Sequence, residues 1–219
     1  MEKTSCAFCH AECSLRNIKI KGDRKNPYYI CFDCYKKTGI DDFTKISGMT
    51  VDSIKPYIDE AALSEKRSKI FRANEYVPGL IEADSRLQYW RLSGRALTDD
   101  STVLLFSDIK SFSVEINGDV IDYETVVKRL KSGKHIIAEK APEPKGIFRV
   151  PKCESLCINI KSDSLTAENI SLPIIKKTVG FSSSEFKNAL NYADECAAFL
   201  QSMTERASVG KSDDEEQFD

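Results

Sequence analysis

Residues 6–9 read CAFC and residues 31–34 read CFDC, with 21 residues between the two pairs and a further thiol at Cys13. Two residues between cysteines make a tight turn that aims both sulfurs at one point. Two such knuckles complete the thiolate tetrahedron that zinc prefers. The intervening stretch reads as the hairpin such a site needs. Ile18 and Ile20 alternate with Lys19 and Lys21, Gly22-Asp23 offers a turn, and Tyr28-Tyr29-Ile30 leads back to Cys31. The spacer slightly exceeds the usual ribbon range of roughly 15–20 residues. The pattern predicts a structural zinc held by Cys6, Cys9, Cys31 and Cys34 in a ribbon over residues 1–47.

Rival chemistries fit less well. A thioredoxin-like dithiol needs one such pair beside a βαβ unit. A catalytic zinc keeps one coordination position open. His10 and Cys13 lack knuckle spacing and read as bystanders. Below about 40 residues a domain usually needs a metal or a disulfide to hold it. A structural zinc contributes on the order of 10–16 kcal/mol. The ribbon is therefore expected to be held by its metal in place of an apolar core.

The rest of the composition is that of a globular chain: 219 residues, 41% apolar and 30% charged. No apolar run approaches the roughly 18 residues needed to cross a bilayer. The opening MEKTSCAFCH offers no apolar stretch for a signal peptide. These features point to the cytosol, where thiols stay reduced.

Charge is uneven. Residues 1–40 carry eight Lys/Arg against four Asp/Glu, whereas KSDDEEQFD at 211–219 carries five acids and one lysine. Arg16, Lys19, Lys21, Tyr28, Tyr29, Lys36 and Lys37 make the ribbon a candidate contact surface for a partner, nucleic acid included. Zinc with four thiolates carries about −2, which offsets part of the basic excess. The simpler reading is that these lysines balance the metal site and solvate the ribbon.

Residues 48–74 read as a helical connector. Val51, Ile54, Ile58, Ala61 and Ala62 recur at helical spacing after a Thr50 cap, and Pro56 is expected to kink or split the helix. From residue 75 the pattern turns to strands: LQYWRL at 87–92, TVLLF at 102–106 and SFSVEI at 111–116 before Asn117-Gly118, a strong turn signal. CESLCINIK at 153–161 alternates, with Leu156, Ile158 and Ile160 inward and Cys153 and Cys157 on the other face. ISLPIIKK at 170–177 carries Pro173, which suggests an edge strand. Residues 119–150 read as an insertion that includes a short helix. Ser182-Ser183-Ser184-Glu185 reads as a capping box opening a helix over 182–204. Its stripe of Phe186, Ala189, Leu190, Ala193, Ala197, Leu200 and Met203 should cover the sheet. Residues 207–219 read as a disordered acidic tail.

An antiparallel sheet closed by one amphipathic helix is the layout of a pleckstrin-homology-like domain, so the expected fold class is α+β, with that domain over 75–206. The stretches CAFC…CFDC, MTVDSIKPYI, LLFSDIKSFSVEINGD and SLCINI also resemble a family of small bacterial and phage proteins of unknown function. The resemblance covers most of the chain and implies a zinc ribbon followed by a pleckstrin-like β domain. It supplies no activity. The chain departs from it at 119–150, where a glycine-richer insertion is expected.

With two histidines and no Gly-rich phosphate loop or nucleophile elbow, the sequence offers no catalytic set. The adjacent pairs Asp41-Asp42 and Asp99-Asp100 read as loop caps. The expectation is a non-enzymatic, zinc-binding interaction protein whose partner is another protein. The edge strand at Pro173, the insertion and the acidic tail are its candidate contacts. The alternatives are nucleic-acid binding through the ribbon and helical arm, and binding of an anionic lipid head group by the sheet domain.

Overall fold

The computed structural model describes residues 4–13, 17–22, 27–93, 102–121 and 152–215, with side chains of the last helix described to Val209. The chain divides into two compact units, residues 1–71 with 164–168, and residues 72–163 with 169–219.

In the first unit the expected hairpin forms. Strands β1 (Asn17–Ile20) and β2 (Tyr28–Cys31) pair antiparallel, with Ile18 opposite Ile30. Three short or longer helices follow: α1 (Phe32–Lys37), α2 (Phe43–Ser47) and α3 (Val51–Ile70). Asp42 caps α2 by accepting from the N–H groups of Thr44 and Lys45. Thr50 caps α3, accepting from the Ser53 N–H at 3.3 Å. Pro56 does not split α3, which runs unbroken for 20 residues. It sits in the second turn, where its ring forfeits a single hydrogen bond to the Asp52 carbonyl.

This unit buries an apolar core of Ile18, Ile20, Ile30, Ile40, Ile46 and Ile54 together with Cys6 and Cys34. That differs from a ribbon held by metal alone. The physical reason is that α2 and α3 lend Ile46 and Ile54, so the helix expected as a connector packs on the ribbon. Gly39, at φ +65°, turns the chain beside Thr166, whose carbonyl oxygen would lie 3.1 Å from an added Cβ. Glu60 of α3 accepts from the Ser164 hydroxyl and, at 2.9 Å, from the Leu165 N–H. These contacts hold residues 164–168 within the unit.

The second unit contains, among the described residues, two four-stranded antiparallel sheets and a two-stranded pair. The first sheet is a meander of β3 (Glu75–Val77), β4 (Ile81–Asp84), β5 (Tyr89–Leu92) and β6 (Leu104–Leu105). A 3-10 turn at Phe106–Asp108 leads into β7 (Ile109–Ile116). The second sheet has the order β11 (Asn169–Ile175), β10 (Leu156–Ser162), β7, β8 (Asp119–Ile121). Strands β9 (Lys152–Cys153) and β12 (Val179–Gly180) form the pair.

Alternation places Phe112, Val114 and Ile116 on the buried face of β7, as the sequence pattern requires. Val114 lies opposite Ile158, which lies opposite Leu172, so one apolar row crosses three strands. Helix α4 (Ser184–Glu215) packs on β7, β10 and β11. Phe186, Leu190, Ala193, Ala197, Leu200 and Met203 are buried as expected, and so is Cys196. The cap is Ser183, whose hydroxyl accepts from the Phe186 N–H at 3.1 Å, one residue later than the box read from the sequence. Phe181 stacks edge-on against Phe186 with centroids 4.8 Å apart.

Two expectations are corrected here. Helix α4 continues to Glu215, well past the expected end at 204 and into the segment read as disordered. Residues 205–215 contain helix-forming Glu, Arg, Ala and Lys and no proline, and the helix runs on through the unfavourable Gly210. Cys153 is fully buried on β9, while Cys157 lies on β10, so the two do not share a strand face. The insertion helix and most of 119–150 lie outside the described residues.

Candidate metal centre

The first knuckle is built by backbone bonds. The Cys6 N–H donates to Ala11 O at 2.9 Å, His10 N–H donates back to Cys6 O at 3.0 Å, and His10 adopts φ 59° to close the turn. The Ala7 N–H donates to Tyr29 O at 2.8 Å, which docks this knuckle on β2. The second knuckle lies where β2 becomes α1. Cys31 ends the strand and acts as the helix N-cap, its Sγ accepting from the Cys34 N–H at 3.4 Å.

These two turns bring the Sγ atoms of Cys6, Cys9, Cys31 and Cys34 within 4.8 Å of one another. The Cys9 and Cys31 sulfurs are 3.7 Å apart. A zinc–sulfur bond of about 2.3 Å in a tetrahedron gives sulfur–sulfur edges of about 3.8 Å. The donor set and its spacing therefore suit a metal ion such as zinc. All eight cysteines are free, so no disulfide competes for these thiols.

Electrostatics point the same way. Burial of Cys6 raises its pKa, but backbone N–H groups of Cys9, Cys31 and Phe8 aimed at the sulfur outweigh burial and bring it down to about 7. Cys34 is pushed up by burial and by its neighbouring thiols, and Cys31 is raised by burial as well. The Cys6 thiolate is stabilised while Cys31 and Cys34 resist ionising beside it. A divalent cation is what allows four thiolates to coexist at this spacing.

His10 and Cys13 stand outside the four-sulfur group. Cys13 packs at the edge of the apolar core, and His10 is exposed. The basic and aromatic residues read as a contact surface fall on different elements. Lys19 and Tyr29 are cross-strand neighbours on the hairpin face opposite Ile18 and Ile30, and Tyr28 is 49% exposed. Lys21 follows on the same strand edge. Lys36 lies over the Phe32 ring, and Lys37 reaches Glu65 of α3 at 3.9 Å. Arg16 lies outside the described residues, as do Asp99 and Asp100.

Two features escaped the sequence reading. Phe32, Tyr35 and Phe43 form a partly exposed aromatic row with centroids 6.1 and 6.0 Å apart. The only hint was an aromatic residue inside the second knuckle. In the second unit, a groove of about 550 Å³ lies beside Pro173, between β11, the Pro78-Gly79-Leu80 turn and the start of α4. Strand β11 is an edge strand of its sheet, the position that Pro173 suggested. No helix among the described residues is long and apolar enough to cross a membrane. Comparison with known proteins finds no matching family model, no matching curated protein and no matching solved structure.

Proposed function

We propose that this chain is a non-enzymatic zinc-binding interaction protein. Cys6, Cys9, Cys31 and Cys34 hold one structural zinc, and a pleckstrin-homology-like domain presents a surface to another protein. The observation that carries the reading is the gathering of four thiols within 4.8 Å, one pair at the edge length of a zinc tetrahedron. All four ligands come from the protein, so the zinc has no open position for a substrate and its role is structural.

The pleckstrin-like reading is supported by strand order. A four-stranded meander is followed by three antiparallel strands, β7, β10 and β11, and then by one helix covering the sheet. On this reading the insertion at 119–150 falls between β7 and β10. The groove beside β11 favours a binding role over catalysis. Its ionisable side chains are Lys176, Lys177, Glu185 and Tyr192, and the tyrosine is engaged by the Pro78 carbonyl. A second reading, nucleic-acid binding, draws on the cross-strand pair of exposed Lys19 and half-buried Tyr29 on the hairpin. Phosphate contacts would weaken steeply with salt. An electrophoretic shift with single-stranded DNA or RNA that is absent even at low salt removes it.

The decisive experiment is elemental analysis of the purified chain with partner capture from its host. One zinc per chain is expected. A metal-free native chain that keeps the first unit folded overturns the zinc reading.

A further inference from the structure

The groove of the second unit has an apolar floor and a basic rim. Leu80 and Ile175 are buried at its base, with Pro78, Pro173, Ile174, Val179 and Ala189 around them. Lys176 and Lys177 are exposed on the rim. The opening turns of α4 line one wall, through Glu185, Ala189 and Tyr192; the Glu185 carboxylate offsets one of the two lysines and leaves the groove net basic. An occupant should therefore be acidic and carry an apolar side chain.

Strand addition does not suit this edge. Pro173 supplies no N–H, and the ladder with β10 is irregular between Leu156 and Cys157, so the edge is blunted. A short segment bound through its side chains fits better.

The chain itself contains such a segment. Asp213-Asp214-Glu215-Glu216-Gln217-Phe218-Asp219 carries five acids and one aromatic residue. It lies at the far end of α4 from the groove. The axis from Tyr192 to Glu215 spans roughly 34 Å at about 1.5 Å per residue. A chain of four further residues spans at most about 14 Å, well short of that distance.

We infer that the acidic segment 213–219 of one copy docks in the groove rimmed by Lys176 and Lys177 of a second copy. Two chains with antiparallel α4 helices make this contact twice, giving a two-fold pair. The inference concerns the second unit alone and does not depend on the metal.

Sedimentation velocity on the full chain across a concentration series tests it. A monomer–dimer equilibrium is expected that weakens with added salt. Replacing Lys176 and Lys177 by Glu should weaken it about tenfold or more, at roughly 0.5–1 kcal/mol per lost contact made twice over. Replacing Asp213, Asp214, Glu215, Glu216 and Asp219 by Lys should do the same. Mixing the two variants should restore association. Carbodiimide treatment of a mixture of light- and heavy-isotope chains should join Lys176 or Lys177 to a tail carboxylate of the other isotope.

A monomer at every concentration at low salt overturns the inference. So does a dimer that both variants leave intact. Loss with the lysine variant but not the tail variant places another occupant in the groove and overturns the assignment to the tail. Trp90 emission, which reports folding of this unit, verifies that each variant is folded.

Discussion

The main-chain N–H of Cys31 donates to Sγ of Cys6 at 3.4 Å, across 25 positions of sequence. One knuckle thus supplies a donor to the sulfur of the other before any ion is considered. The Phe8 N–H approaches the same sulfur at 3.5 Å. This preorganisation lowers the pKa of Cys6 and binds the two turns into one site.

Metal removal should act on the first unit and spare the second. The single tryptophan, Trp90, is fully buried in the second unit and donates to Leu105 O at 2.9 Å. Chelation, or the double change Cys6→Ser with Cys31→Ser, should unfold the first unit while Trp90 emission stays native. The Ile18, Ile20, Ile30, Ile46 and Ile54 core is small, and a structural zinc contributes on the order of 10 kcal/mol. Near-ultraviolet circular dichroism with tryptophan fluorescence separates the two responses. Retention should fall with pH, because protons compete for the thiolates, and metal release below neutrality is expected by colorimetric assay.

Asp84 makes the second unit acid-sensitive. Its buried carboxylate accepts from the Arg86 side chain at 3.1 and 3.2 Å and from the Arg72 N–H at 2.9 Å. The Arg86 hydrogen bonds hold its pKa below the usual carboxylate range, against the opposing effect of burial. A depressed folded pKa means stability that is fully present above the unfolded value of about 3.9 and is lost as pH falls through the folded one. Asp84→Asn should cost about 1.5–3 kcal/mol at neutral pH and flatten the acid limb of stability against pH, read by urea melts followed at Trp90.

The β7–β8 turn depends on backbone conformation and side-chain pinning at adjacent positions. Asn117 has φ 50° and Gly118 φ 86°, and an added Cβ at Gly118 meets nothing within 4 Å. Gly118→Ala should therefore cost about 1 kcal/mol through backbone strain alone. Asn117 also accepts from the Glu154 N–H at 2.7 Å and the Ser155 N–H at 3.2 Å, and donates to Lys152 O at 3.0 Å. Asn117→Gly keeps the turn geometry and loses those bonds, so a cost of about 1–3 kcal/mol in a denaturant titration isolates them.

Local signals were legible in the sequence, and long-range ones were not. The knuckle spacing, the alternation through Phe112, Val114 and Ile116, and the stripe from Phe186 to Met203 each lie within one element, so periodicity exposes them. The β3–β4 hairpin escaped because strands of three and four residues around Pro78-Gly79 are too short to show a period. The first unit's core escaped because Ile40 and Ile46 are isolated apolar residues whose partners lie on other elements. Cys153 was misplaced because Glu154 and Ser155 continue the alternation in sequence while the backbone changes strand. The groove draws on three separated segments, of which only Pro173 carried a signal.

Pro56 offers a test of why α3 survives with a proline inside it. Its side chain is exposed, so replacement removes no packing. A proline in a helix interior costs about 3 kcal/mol relative to alanine, less near the first turns, where few hydrogen bonds are forfeited. Against this, proline restricts the unfolded chain, which is worth up to about 1 kcal/mol. The helix restraint is the larger quantity, so Pro56→Ala should stabilise the first unit by about 1 kcal/mol. Thermal denaturation of the zinc-loaded chain followed at 222 nm should show the first unit melting higher, with Trp90 emission unchanged. A lower melting temperature would mean that the restraint of the Pro56 ring on the backbone is what aims Ile54 and Ile58 at the hairpin core, and the continuous helix would then owe its position to the proline.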